Sequence, residues 1–149
     1  LYRKLYNMTQ KLYPKFKQTL LESNADIQLD AAEGATTGVF VALIDTAAYT
    51  YSDTHEFFSS VIAGEIGTSQ EITGTKTVTD GLFDASNTLT WTALAGTTVE
   101  ALVIYRKTAG INTAWPLVYY TDENVTGLIL TPNGLDVVLT WDASGIFQL

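Results

Sequence analysis

The spacing of apolar residues changes character near residue 23. Before it, Leu1, Leu5, Met8 and Leu12 recur at i, i+4, i+7 and i+11, one stripe of a helix, widened by Tyr2, Tyr6 and Tyr13. Arg3, Lys4, Asn7 and Lys11 lie off that stripe. Pro14 ends or kinks this segment near Tyr13, because it lacks an N–H and restricts the residue before it. Pro14 also suits the first turn of a second helical stretch reaching about Glu22, with Phe16, Leu20 and Leu21 as its apolar side. Residues 1–22 therefore predict a basic amphipathic helical arm, and residues 23–149 a separate body.

From Asn24 onward the pattern is that of strands. Val39-Phe40-Val41-Ala42-Leu43-Ile44 and Ala101-Leu102-Val103-Ile104-Tyr105 are continuous apolar runs, which predict central strands covered on both faces. Thr88 to Thr92 alternates, with Leu89 and Trp91 inward, and Val137, Leu139 and Trp141 alternate against Asp136, Thr140 and Asp142. Further strands are expected at 26–29, 69–79, 116–121 and 127–131. Thr131-Pro132-Asn133-Gly134 is a strong turn signal and predicts an antiparallel pair between 127–131 and 135–141. Ser52 to about Val61 reads as a short helix capped by Ser52 or Asp53, with Phe57, Phe58 and Val61 inward. The expected fold is mainly β: an antiparallel β-sandwich or small barrel with a short internal helix and an N-terminal helical arm.

Composition narrows the function classes. The chain has 149 residues, 46% apolar and 16% charged, which excludes a disordered or collagen-like polymer and suffices for one core. No apolar run approaches a membrane span, and no secretory h-region is evident. Met8-Thr9-Gln10 has the form of a translation start; a start upstream of Leu1, trimming, and an appended stretch over residues 1–7 are each compatible with it. Cys is absent, so disulfides, a thiol nucleophile and Cys-based zinc sites are excluded.

Charge is unevenly placed. Residues 1–17 carry Arg3, Lys4, Lys11, Lys15 and Lys17 with no acid, a balance of +5, whereas the remainder sets Lys76, Arg106 and Lys107 against all 16 acids, a balance of −13. A body this acidic does not attract a phosphate backbone, so no nucleic-acid partner is expected. The basic segment is expected to dock on an acidic protein surface rather than on a membrane.

Catalytic signals are sparse. His55 is the single histidine, and Ser52, Asp53 and His55 lie close in sequence without a nucleophile elbow or an oxyanion-hole motif. There is no phosphate-binding loop and no EF-hand, although Asp84 to Asn87 and Asp122 to Asn124 supply oxygens that could meet calcium; they are turn formers first. Neither an enzymatic activity nor a cofactor or metal is expected. Asn7-Met8-Thr9 and Asn124-Val125-Thr126 match the glycosylation acceptor, which matters only in a secretory host. Trp91 and Trp141 fall on inward phases and read as core. Trp115, before Pro116, opens the apolar block Trp115 to Tyr120, which reads as an edge strand or a strand start, where a neighbouring subunit could pack. Candidate interface residues are thus Leu1, Leu5, Met8, Lys11, Leu12, Lys15, Lys17, Trp115 and Tyr119.

Several blocks taken together carry a resemblance. They are Leu43-Ile44-Asp45-Thr46, Tyr49, Thr54-His55-Glu56-Phe57, Lys76-Thr77-Val78, Val99 to Tyr105, Leu130 to Gly134, Trp141-Asp142 and Gly145 to Leu149. Over roughly residues 8–149 the sequence resembles a family of small structural proteins of tailed bacteriophages. The stretch Arg106–Gly110 departs from the short turn of that pattern, and residues 1–7 lie outside it. The resemblance implies a non-enzymatic virion component assembled in the host bacterial cytoplasm. Its expected place is as a capsid decoration or cement protein, a homo-oligomer such as a trimer, bound to the major capsid protein or other virion proteins. A neck, tail or fibre-attachment component is the alternative within that class. A carbohydrate-binding module built on Trp115 and its tyrosines is the alternative outside it.

Overall fold

The apolar runs at 39–44 and 101–105 pair with each other, as strands buried on both faces must. In the computed structural model, which describes residues 10–22, 27–30, 37–123 and 125–149, β2 is Gly38–Ile44 and β7 is Ala101–Lys107. They run antiparallel in unbroken register from Gly38↔Lys107 to Ile44↔Ala101. The other strands are β1 (Gln10–Leu12), β3 (Glu65–Glu71), β4 (Lys76–Thr79), β5 (Leu82–Ala85), β6 (Leu89–Trp91), β8 (Leu117–Thr121), β9 (Val137–Leu139) and β10 (Phe147–Gln148), with one α-helix, α1 (Pro14–Leu21).

All pairings are antiparallel, in a five-stranded sheet ordered β1-β8-β7-β2-β3, a three-stranded sheet β10-β5-β4 and a ribbon β6-β9. Alternation divides the large sheet into two faces. Val41, Leu102, Ile104 and Tyr119 lie on one, and Phe147 of β10 stacks on Tyr119 at 5.1 Å, so the smaller sheets cover that side. Phe40, Ala42, Ile44, Val103, Tyr105 and Tyr120 lie on the other, beneath residues 49–61, whose Tyr49, Phe58 and Val61 are buried.

Several expectations are corrected. Residues 10–13 are not helical: β1 pairs with β8 (Leu12↔Tyr119), so an extended strand replaces that part of the helical arm, and the expectation for residues 1–9 lies outside the described residues. The helix after Pro14 is present as α1, and Tyr13 and Phe16 are buried in the core. Because β1 lies along its outer side, β8 is an interior strand, buried at every position, not an edge.

Ser52–Val61 is a turn followed by 3₁₀ turns at Phe58–Ser60 and Ile62–Gly64, not an α-helix. Its backbone is engaged elsewhere: Leu117 N donates to Glu56 O at 2.9 Å and Phe58 N to Trp115 O at 2.9 Å. The described part of 26–29 is not a strand, though Ile27 and Leu29 are buried. The expected strand 69–79 is split between β3 and β4.

The hairpin expected across 127–141 does not form. Pro132 to Gly134 does turn, with Gly134 at φ +82°, but Gly134 N donates to Leu94 O and Leu94 N to Leu135 O. Leu130 bridges Val99 and β9 pairs with β6, so both flanks of that turn join the 89–99 segment instead of each other. The true two-residue hairpin is Asp80-Gly81, both at positive φ (+53° and +80°), between β4 and β5.

The buried ladder carries a stability prediction. Ile44→Ala, at a fully buried site on β2, is expected to lower the unfolding free energy by about 2–5 kcal/mol. Val138→Ala, on the exposed phase of β9, should change it by less than about 0.5 kcal/mol. Urea melts of the two variants check both values.

Candidate functional site

The sequence places the interface residues along the chain; the structure gathers part of them. Lys11, Leu12, Lys17 and Tyr119 line one open groove of about 690 Å³ together with Pro14, Tyr51, Asp53, Phe147, Gln148 and Leu149. It lies where β1, the outer strand of the large sheet, meets β10, the outer strand of the three-stranded sheet. Outer strands leave backbone N–H and C=O groups available for a further segment, and this groove has one on each side.

The side chains around the groove are held in place. Leu12 is half-buried and packs against the core, and Tyr119 is buried beneath Phe147. Lys11 Nζ lies 4.7 Å from the centroid of the Tyr51 ring, a cation–π contact, while the Tyr51 hydroxyl donates to Asp53 Oδ1 at 2.8 Å. Lys15 and Lys17 are exposed on α1. Leu1, Leu5 and Met8 lie outside the described residues.

Trp115 is elsewhere. Its ring stacks on Tyr105 at 5.8 Å and 10° and on Phe58 at 6.1 Å, and Lys107 Nζ covers it at 5.0 Å. The half-buried indole is packed against two rings and capped by an ammonium, and it does not line the groove.

His55 is part of a hydrogen-bonded chain. Its Nδ1 is 3.0 Å from the Tyr49 hydroxyl, which is 2.8 Å from the Tyr13 hydroxyl. Ser52 Oγ pairs with Thr54 Oγ1 and Asp53 with Tyr51, so the side chains of Ser52, Asp53 and His55 face separate partners, although His55 N donates to Ser52 O at 3.1 Å. Tyr13 is thereby tied to the 49–55 segment from the N-terminal side of α1. Among the described residues no three His, Asp or Glu side chains gather as they would around a metal ion.

Sequence reasoning missed Tyr51, Asp53, Phe147 and Leu149 as groove residues. The aromatic pair Phe147–Tyr119 joins positions 28 apart in sequence, and only the fold brings them together. No protein-family model matches the chain, and no curated protein matches it.

All six described tyrosines have phenol groups held above their ordinary range, in each case chiefly by burial. Tyr13 is pushed furthest, with Tyr49 adding to the effect of burial. For Tyr51 the Asp53 carboxylate adds, and for Tyr120 the Asp122 carboxylate. Tyr105 is pushed up to about 12. A raised phenol favours the neutral form in the fold, so this stabilisation is complete below about pH 10 and is lost as pH rises through the folded values. In an alkaline titration the described tyrosines should ionise at higher pH than free phenols do, and the remaining tyrosinate absorbance should appear with loss of the circular-dichroism signal. Six freely titrating phenols in a still-folded chain would contradict the packing described.

Proposed function

We propose that the chain is a structural component of a tailed-phage virion, a decoration or cement protein that binds and stabilises the head shell and associates with copies of itself. The single observation that carries this reading is the groove at the N-terminal side, with an outer strand on each flank, directly beside the chain's basic residues. It supplies what an assembly protein needs: open backbone for a neighbour's segment, on a rigid core that depends on no disulfide. The blocks that resemble phage structural proteins support the same reading. The two packed layers are read as a β-sandwich, the framework on which that contact is mounted.

In this reading residues 1–9 reach a neighbouring subunit. The body's acidic surface opposes close packing of identical copies, and the basic segment offsets part of that repulsion. Leu12 packs within its own subunit, so the apolar stripe left to bury is Leu1, Leu5 and Met8. At roughly 1.5–3 kcal/mol each, they bound the gain near 5–9 kcal/mol before ordering entropy is subtracted. Exposed ion pairs add at most about 1 kcal/mol each. Hydrophobic contact therefore sets affinity and charge sets register. A neck or tail position would use the same body with different contacts, and copy number separates the two.

Removal of residues 1–9 leaves β1 and Tyr13 in place and is the informative truncation. The shortened chain should melt within a few degrees of the full chain, yet bind particles lacking the protein at least about tenfold more weakly, since tenfold is about 1.4 kcal/mol. Quantified virions should hold the protein at on the order of hundreds of copies, as a shell-wide lattice requires, rather than about a dozen. Its absence from purified particles would overturn the assignment.

A further inference from the structure

A second concavity, which shares only Tyr119 with the groove, lies between the large sheet and residues 138–146, the stretch that runs from β9 toward β10. This cleft of about 300 Å³ has Ile104 of β7 and Tyr119 of β8 on its sheet side, Leu139 of β9 and Trp141 opposite, and Thr140 and Asp142 on its lining. The Trp141 indole N–H is buried and has no hydrogen-bond partner among the described residues. Trp91 and Trp115 share that state, but of the three tryptophans Trp141 is the one that lines the cleft. An indole N–H can only donate, so what it lacks is an acceptor.

The remaining chemistry of the cleft limits what can bring one. Asp142 Oδ1 accepts from both Ser144 N and Ser144 Oγ, which holds its carboxyl below the usual range and keeps it ionised at neutral pH. Its Oδ2 has no partner among the described residues and accepts only. Neither Lys nor Arg is among the lining residues, and residues 18–149 carry a balance of −13, so an anion is repelled. A plain hydrocarbon would leave the N–H unpaired. The fitting occupant is neutral, carries donors and acceptors around its edge, and has an apolar face to lay on an aromatic ring.

We propose that this cleft binds a neutral saccharide, one ring against Trp141, with a sugar oxygen accepting from Trp141 Nε1 and a hydroxyl donating to Asp142 Oδ2. A volume of about 300 Å³ is at the lower end of the roughly 300–1,000 Å³ of small-ligand sites, which suits one ring rather than a long chain. The binding would give the particle a means of holding surface glycan, and it stands independently of where in the virion the protein sits.

The test uses the full chain labelled with 5-fluorotryptophan, whose three tryptophans give three ¹⁹F resonances. Trp141→Phe assigns the relevant one; if that variant does not fold, Trp91→Phe and Trp115→Phe assign it by elimination. The probes are glucose, galactose, mannose and N-acetylglucosamine at up to about 50 mM, well above a millimolar dissociation constant, with glucuronate as the anionic counterpart of glucose. At least one neutral sugar should shift the Trp141 resonance saturably, and glucuronate should bind about tenfold more weakly or not at all. By calorimetry, Asp142→Asn and Trp141→Phe should each weaken the neutral sugar by about three- to tenfold with the fold retained. The proposal is overturned if no neutral sugar moves that resonance, if glucuronate binds as well as glucose, or if the response is confined to Trp115.

Discussion

The antiparallel ladder between β2 and β7 is the constraint on which the other elements depend. Along it Val39, Val41 and Leu43 face one side and Ala42 and Ile44 the other, and all are buried. A strand pair with no polar face cannot rest against water, so both sides of the sheet need cover. The two covers are unlike. One is made of strands, through Phe83, Phe147 and the β6–β9 ribbon. The other is an irregular segment, residues 45–64, fixed by aromatic contact: Phe58 stacks on Tyr105 at 4.0 Å, and Tyr49 and Tyr51 approach Tyr120.

The irregular cover explains why tyrosine is used so heavily. A segment without a ladder of its own must satisfy its polar groups while burying apolar area, and tyrosine does both with one side chain. The chain from Tyr13 through Tyr49 to His55 joins the N-terminal strand and helix to that cover by side-chain bonds rather than backbone ones. The N-terminal segment is therefore part of the core from Tyr13 onward. The proposed assembly contact would start from Tyr13 and β1, which are fixed on the body.

What could be read in the sequence follows from how local each signal was. The runs at 39–44 and 101–105 announced strands covered on both sides because continuous hydrophobicity leaves no solvent face, and the alternation around Leu89 and Trp91 gave the right phase. Asn133-Gly134 set its turn correctly but not its partners, since the flanking backbone was taken by Leu94 and Val99, far away in sequence. Asp80-Gly81 carried a hairpin signal of the same strength inside a stretch that read as one strand up to Thr79. The helical stripe ending at Leu12 gave way to a strand at residues 10–12 because β8 had an unpaired side to fill, and strand partners chosen across a hundred residues leave no periodicity. Four of the predicted interface residues came together in the groove; the apolar side opposite them, from Phe147 to Leu149, could not be joined to them from the sequence.

The body's three cations show how the acidic surface is left to the outside. Arg106 Nε donates to Gln28 O and its guanidinium also reaches Lys107 O; Lys76 Nζ donates to Ile72 O; Lys107 lies over the Phe40 and Trp115 rings. Each of the three thus makes a contact to a carbonyl or a ring of the body. Among the described residues the exposed lysines are Lys11 on β1 and Lys15 and Lys17 on α1, and Lys11 and Lys17 line the groove. In the proposed assembly, the exposed lysines beside the groove of one copy would meet the acidic surface of the next. Over exposed surfaces that attraction fades beyond about 8–10 Å at physiological salt, so it selects orientation only once copies are nearly in contact. In the proposed assembly, apolar side chains then hold what charge has oriented.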